Sequence, residues 1–339
     1  MGLPLSLQSR TGIWVIAGLI ALLCSGLFWL VRPVLSAPPA VIAKMTLALP
    51  TQISAGALFV ATERNFFAEQ GLAVTTSTHV LGREALQAVL LGKADLAVLA
   101  DTPFMFAVMK GEKIATVATI FGSRKTLAVL GRKDRHITRA EDLDGKTIGT
   151  MFGTNAQYFL DGLLLAHGVP RNSVTVVDIA PESLEAALRD GRVDAITSFN
   201  PKLADAVGER ATTIYGEDLF VYRFMVVGKQ SYIDSHPTEV RLLLAAIEQG
   251  NRFIHDQPAS AKTAIGKAIG HSPALMTKYF EPNDFQITLD QSLLLSLGDQ
   301  TRWAMRQRLV PDGPVPNYLD YVRQAPLDAL QPSANKIIR

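Results

Sequence analysis

A two-lobed α/β fold, each lobe a mainly parallel sheet flanked by helices, is predicted by three observations. One motif is written twice, as Leu91-Gly92-Lys93-Ala94-Asp95-Leu96-Ala97-Val98 and as Asp190-Gly191-Arg192-Val193-Asp194-Ala195-Ile196-Thr197. Each copy follows an amphipathic stretch and soon meets a polar residue and a proline, Thr102-Pro103 and Asn200-Pro201. Upstream, Gly71-Leu72 and Gly168-Val169 each end a helical pattern and open a β-rich run, and apolar runs at 45–49 and 146–151 precede those helices. Two consecutive segments thus follow one plan: strand, helix, strand, helix, strand. Two like lobes leave a cleft between them, and clefts are where small ligands bind.

The elements follow in order. Residues 1–32 read as a cytoplasmic stub and a membrane anchor. The run from 13 to 31 is uncharged, lies between Arg10 and Arg32, and carries Trp14 and Trp29 near its ends. As a helix it would extend about 28 Å, close to the hydrocarbon thickness of a bilayer. It is long for a cleaved secretory signal, the alternative reading. Residues 33–44, with Pro38-Pro39, read as a linker. Lobe I is expected at 45–125 plus 226–339, and lobe II at 126–225. In lobe I a strand ends at Pro50, and one helix is expected from 55 to 70, closed by Gly71. Another is expected at 84–91, and a third begins at Pro103. A strand at 126–131 leaves for lobe II, and 224–227 returns. These two crossings would form a two-strand hinge. The tail after Ser231 reads as mostly helical and is expected to cover lobe I.

Ligands of open parallel sheets bind beyond the carboxyl ends of the strands. Asp95 and Asp194 stand at the amino ends of theirs, so their expected role is to organise the helix-to-strand turn. The loops at the opposite ends supply the candidate ligand-binding residues. These are Thr51, Gln52 and Ser54 after the first strand, Gly82 and Arg83 after the second, and Asp101 and Thr102 after the third. In the other lobe they are Gly153, Thr154 and Asn155, and then Asn200. Thr102, Thr154 and Asn200 suit helix N-caps. Helix amino-termini converging on one cleft would favour a small anion, and Arg83 could fork onto its head group.

Composition excludes several classes. A net charge of +2 gives no reason to expect nucleic acid as a partner. One cysteine, Cys24, and six scattered histidines leave no cysteine-rich metal site and no internal disulfide. No nucleophile elbow, phosphate-binding glycine loop or His/Glu metal motif occurs, so no catalytic residue, metal or cofactor is expected.

The chain resembles the periplasmic solute-binding proteins of the nitrate, taurine and alkanesulfonate ABC importers, a superfamily that also holds thiamine-pyrimidine binders. The resemblance rests on Phe66-Phe67-Ala68-Glu69-Gln70-Gly71-Leu72, on both copies of the repeated motif, on the stretch from Glu141-Asp142-Leu143 to Gly149, and on Tyr318-Leu319-Asp320. It implies a type II periplasmic-binding-protein fold and a monomeric receptor held outside the cytoplasm; the apolar run 13–31 departs from the family's usual signal peptide and would tether the receptor to the inner membrane. The resemblance also implies a receptor that closes on a small solute and passes it to a permease driven by an ATPase. Asn200 stands where members that bind cations often carry an acid, which favours an anionic or neutral solute of the sulfonate, nitrate or bicarbonate type. The alternatives are a thiamine-pyrimidine-related binding protein or enzyme of the same fold, and a ligand-sensing input module.

Overall fold

The structure, a computed structural model, describes residues 43–198, 207–216 and 219–338. The apolar run 13–31, Cys24 and Asn200 lie outside the described residues. Among the described residues no helix is long and apolar enough to cross a membrane.

The chain opens with β1 (Ala43–Pro50), a 3-10 turn (Ile53–Ala55), α1 (Gly56–Glu63) and α2 (Phe66–Glu69). The single helix expected here is broken because Asn65 takes a left-handed conformation, φ 61°, which Asn tolerates better than most residues. Then come β2 (Leu72–His79), α3 (Gly82–Leu90), β3 (Leu96–Ala100), α4 (Asp101–Met109) and β4 (Ile114–Ser123). The chain crosses to a second sheet through β5 (Ala128–Arg132). It repeats the plan as β6 (Thr147–Thr150), α5 (Asn155–Ala166), β7 (Thr175–Asp178), α6 (Leu184–Arg189) and β8 (Ala195–Ser198). From β9 (Ala211–Tyr215) it returns along β10 (Tyr222–Lys229). The tail is α7 (Gln230–Ser235), α8 (Pro237–Asp256), α9 (Pro258–Ile269), α10 (Pro273–Tyr279), β11 (Phe285–Asp290), α11 (Gln291–Arg306), α12 (Ala325–Leu330) and β12 (Asn335–Lys336).

The first sheet has the order β12-β11-β4-β10-β3-β1-β2 and the second β7-β6-β8-β5-β9. Each contains a parallel triplet, β2-β1-β3 and β7-β6-β8, beside which a crossing strand runs antiparallel, β10 in one and β5 in the other. The sheets are therefore mixed, not mainly parallel as the sequence suggested. The strands that leave and return between sheets cannot share the direction of the strands they join. Strand β11 joins the first sheet from within the tail that the sequence read as mostly helical.

The repeated motif has the same local structure in both places. Gly92 and Gly191 sit at φ 70° and 76°, a left-handed conformation that closes the preceding helix at little cost only for glycine. Three residues on, the aspartate clamps the first strand of its sheet. Asp95 Oδ2 accepts from the Thr46 N–H at 2.7 Å and from Thr46 Oγ1 at 2.6 Å. Asp194 Oδ2 accepts from the Thr147 N–H at 2.9 Å. Both aspartates act at the strand amino ends, opposite the loops that follow the strands.

The core is continuous through both sheets. Helix α8 buries Val240, Leu243, Leu244, Ile247 and Ile254 on one stripe, the spacing of an amphipathic helix. It lies against α1 so closely at Gly250 that a β-carbon there would stand 2.4 Å from the Ala57 carbonyl oxygen.

Candidate functional site

Among the described residues two regions join the sheets, and they differ in kind. The first is a packed seam where the amino-terminal ends of α4 and α5 meet under α11. Asp101 is fully buried, and Asn155 Nδ2 donates to its Oδ1 at 2.5 Å. Gln300 Nε2 donates to Oδ2 at 2.8 Å, Ser296 Oγ at 3.4 Å, and the Thr102 N–H donates to Oδ1 at 3.1 Å. Burial pushes the Asp101 carboxyl up from its ordinary value, opposed by the charge of Arg223 and by these bonds. Near the same seam Trp303 Nε1 and Arg171 Nε both donate to Asp161, each at 2.8 Å. Tyr158 stands edge-on to Trp303 at 5.1 Å and to Phe220 at 5.2 Å. Arg83 Nη1 donates to the Phe152 carbonyl oxygen at 3.0 Å, linking α3 to the loop before α5.

The second is a cavity of about 900 Å³ on the side of the crossing strands. Thr51, Gln52, Ile53 and Ser54 line it from the first loop, and Val80 and Leu81 from the end of β2. Thr119, Phe121 and Ser123 of β4 line it with Thr288 of β11, and Thr119 and Thr288 are cross-strand partners. The second sheet contributes Ala128, Leu130, Ser198, Thr213 and Tyr215. The register pairs Ala128 with Ser198 and Tyr215, and Leu130 with Thr213, so these residues form one continuous patch. Met151, Pro181 and Leu184 extend this wall. Both crossings reach the cavity, one through Arg124, Lys125 and Thr126 and the other through Val221, Tyr222 and Arg223.

Polar groups of the first loop are partly committed. Thr51 Oγ1 donates to the His79 carbonyl oxygen at 3.2 Å, and Gln52 accepts from the Tyr222 hydroxyl at 3.3 Å. Burial holds the Tyr222 phenol well above its ordinary range. Ser54 Oγ and Thr119 Oγ1 are buried without a hydrogen-bond partner, although each residue borders the cavity. Arg223 is 9% exposed. Its Nη2 donates to Ser292 Oγ at 2.7 Å and its Nη1 to the Val221 carbonyl oxygen at 3.4 Å, which leaves three of its five N–H donors uncommitted. Asp290 accepts from the Leu293 N–H at 3.1 Å as the cap of α11. Burial raises the Asp284 carboxyl to about 6.

The structure thus divides the candidate residues. It brings Thr51, Gln52 and Ser54 to the cavity and places Asp101 and Asn155 in the seam. Thr102 is buried there too, inside α4, with Ala100 as the N-cap instead. Arg83 is engaged with the other loop, next to Gly82 at the start of α3. Thr154 caps α5, accepting from the Ala156 N–H at 3.2 Å. Gly153, at φ 72°, turns the chain before it. The amino-terminal ends of α4 and α5 meet, and the acceptor between them is the chain's own Asp101 carboxyl. Arg223 and Thr119 escaped the sequence reading, yet there was a signal: each is a polar residue inside an apolar strand run, at 220–227 and 114–121.

Two alike sheets joined by two crossings, with a cavity against those crossings, form a mixed α/β fold that matches the fold of SsuA-type periplasmic binding proteins. The family model described as "NMT1/THI5 like" matches residues 52–261, and the chain belongs to that family. A protein of Escherichia coli (strain K12) named for aliphatic sulfonates binding is 20% identical over 202 residues, 59% of this chain and 63% of its own length. The chain therefore spans under two thirds of that relative. The structure of the alkanesulfonate-binding protein SsuA from Xanthomonas axonopodis pv. citri, bound to MOPS, superposes with a TM-score of 0.73 at 19% identity, covering 85% of this chain and all of SsuA. DszB, a desulfurization enzyme solved with biphenyl-2-sulfinic acid, superposes with a TM-score of 0.64 at 16% identity, covering 86% of this chain and 99% of DszB. At these identities the two structures establish the fold.

Proposed function

We propose that the chain is the substrate-binding component of an ABC importer, taking a small anionic or neutral solute of the sulfonate type into the cavity between the sheets. The observation that carries this reading is the cavity's position against both crossing segments. A solute held there touches the residues that a rotation of one lobe on the other would bend, so binding and closure are coupled. The lobes are residues 45–125 with 226–339, and 126–225. Thr51, Gln52 and Ser54 are the ligand-contacting residues in this reading, and Asp101, Thr154 and Asn155 hold the closed seam. Delivery to a permease and its ATPase, and a tether to the membrane through the run 13–31, complete the proposal. The E. coli relative's name and the MOPS bound to SsuA support a sulfonate over nitrate or bicarbonate.

The test is a thermal-shift panel of MOPS, taurine, longer sulfonates, nitrate, bicarbonate and pyrimidines. A true ligand at a hundred times its dissociation constant adds about 2.7 kcal/mol to stability. A panel with no shift at any member would overturn the receptor reading. The likeness to DszB favours a second reading, an enzyme of the same fold. Product analysis after incubation with each binding compound decides between them, because a receptor returns its ligand unchanged.

A further inference from the structure

We infer that the cavity takes a bulky organic anion head-first, its anionic group held by Arg223 with the Ser54 and Thr119 hydroxyls and its apolar tail laid along the wall made by Leu130, Met151, Pro181 and Leu184. This deepens the receptor reading above and rests on it.

Size comes first. A volume of about 900 Å³ is that of roughly thirty waters at about 30 Å³ each, whereas an anion of four non-hydrogen atoms such as nitrate or bicarbonate fills about the space of two. Such an ion would leave most of the cavity to solvent and gain little from closure. The volume instead falls in the range of pockets that enclose drug-sized molecules.

Polarity then sets the orientation. Arg223 is a guanidinium more than nine-tenths buried, fixed from behind by Ser292, which is itself bonded to Asp290. A buried cation with uncommitted donors is held most favourably by an anion. Ser54 and Thr119, each 4% exposed, add two hydroxyls whose burial is otherwise uncompensated, a feature that calls for a partner. The 3-10 turn carrying Ser54 packs on β4, the strand of Thr119, and β4 is hydrogen-bonded to the strand of Arg223. Across the cavity Leu130, Met151 and Leu184 are almost fully buried apolar side chains, with nothing to offer a second charge. The end formed by the tail segment carries charges of both signs, Asp284, Glu281 and Asp290 beside Lys278.

The experiment is calorimetric titration of the full chain with methanesulfonate, 1-octanesulfonate, 2-naphthalenesulfonate, nitrate and 1-octanol. The two large sulfonates are expected to bind roughly a hundredfold more tightly than methanesulfonate, as buried hydrocarbon dictates, with nitrate and octanol weaker still. Arg223→Gln is expected to weaken both large sulfonates by roughly tenfold or more. Because Arg223→Gln could unfold the chain, Thr119→Val, which keeps the shape, and Thr213→Phe, which narrows the apolar side, serve as independent variants. Thr119→Val should weaken every sulfonate, and Thr213→Phe only the large ones. Equal affinity for methanesulfonate and octanesulfonate, or wild-type affinities in both of these variants, overturns the inference while leaving a receptor in place. No binding by any compound overturns the receptor reading along with it.

Discussion

The seam and the cavity both join the sheets, both contain buried polar side chains, and both leave some of them unpaired. In the seam Thr102 Oγ1 and Gln300 Oε1 lack partners, and in the cavity wall Ser54 Oγ and Thr119 Oγ1 do. The difference is space. Neither Thr102 nor Gln300 borders the 900 Å³ cavity, whereas Ser54 and Thr119 both do. An orphaned polar atom therefore points to a ligand only where a ligand has room. The seam satisfies its charged groups internally, with four donors on Asp101 and two on Asp161. The cavity keeps part of the Arg223 guanidinium in reserve.

Substitutions that exploit this difference should separate stability from binding. Trp303→Ala has the largest expected effect, about 3–5 kcal/mol of lost stability. It empties a site 4% exposed and takes a donor from Asp161; urea unfolding measures it. Asp101→Ala comes next, at about 2–4 kcal/mol, since it orphans the buried amides of Asn155 and Gln300. A loss under 1 kcal/mol would show that the seam does not hold these lobes together. Thr119→Val should change stability by less than about 1 kcal/mol, because its hydroxyl has no bond to lose, yet it should weaken ligand. Equal damage to both properties would erase the distinction between the two regions.

The smallest effect concerns pH. Burial raises the Asp284 carboxyl from 3.8 to about 6, with Glu281 adding to the rise and Ser123 and Lys125 opposing it. An acid whose folded value is raised favours the folded state fully below its unfolded value. That contribution is lost as pH climbs through about 6. Melting temperature should accordingly fall slightly between pH 4 and 7, and Asp284→Asn should flatten that portion of the curve. A wild-type profile that rises across this window through Asp284 would contradict the assignment.

Much of the fold was legible because it is written in local rules used twice. Gly92 and Gly191 must be left-handed, and Asp95 and Asp194 sit where a strand's amino end needs an acceptor, so the repeat declared two alike halves. Strand β4 was not legible. Its sequence, Ile-Ala-Thr-Val-Ala-Thr-Ile-Phe, has no solvent face to create alternation, since it is buried on both sides. The position of the site was half legible. The rule of strand carboxyl ends reached Thr51 and Ser54, and it also reached Asp101 and Asn155. It could not tell that these two would pair with each other, because that bond depends on how closely the lobes approach. Arg223 belongs to a crossing strand, outside the rule altogether.

Hydrogen–deuterium exchange with and without 1-octanesulfonate shows where the solute sits, because it reports on both regions at once. Slowed exchange is expected at the loop carrying Thr51, Gln52 and Ser54 and at the crossing through Arg124 and Thr126, accompanied by slower exchange around Asp101 and Asn155 as the seam closes. Protection confined to the Asp101 and Asn155 segments, with the cavity loops exchanging as before, would place the ligand in the seam and overturn the cavity as its site.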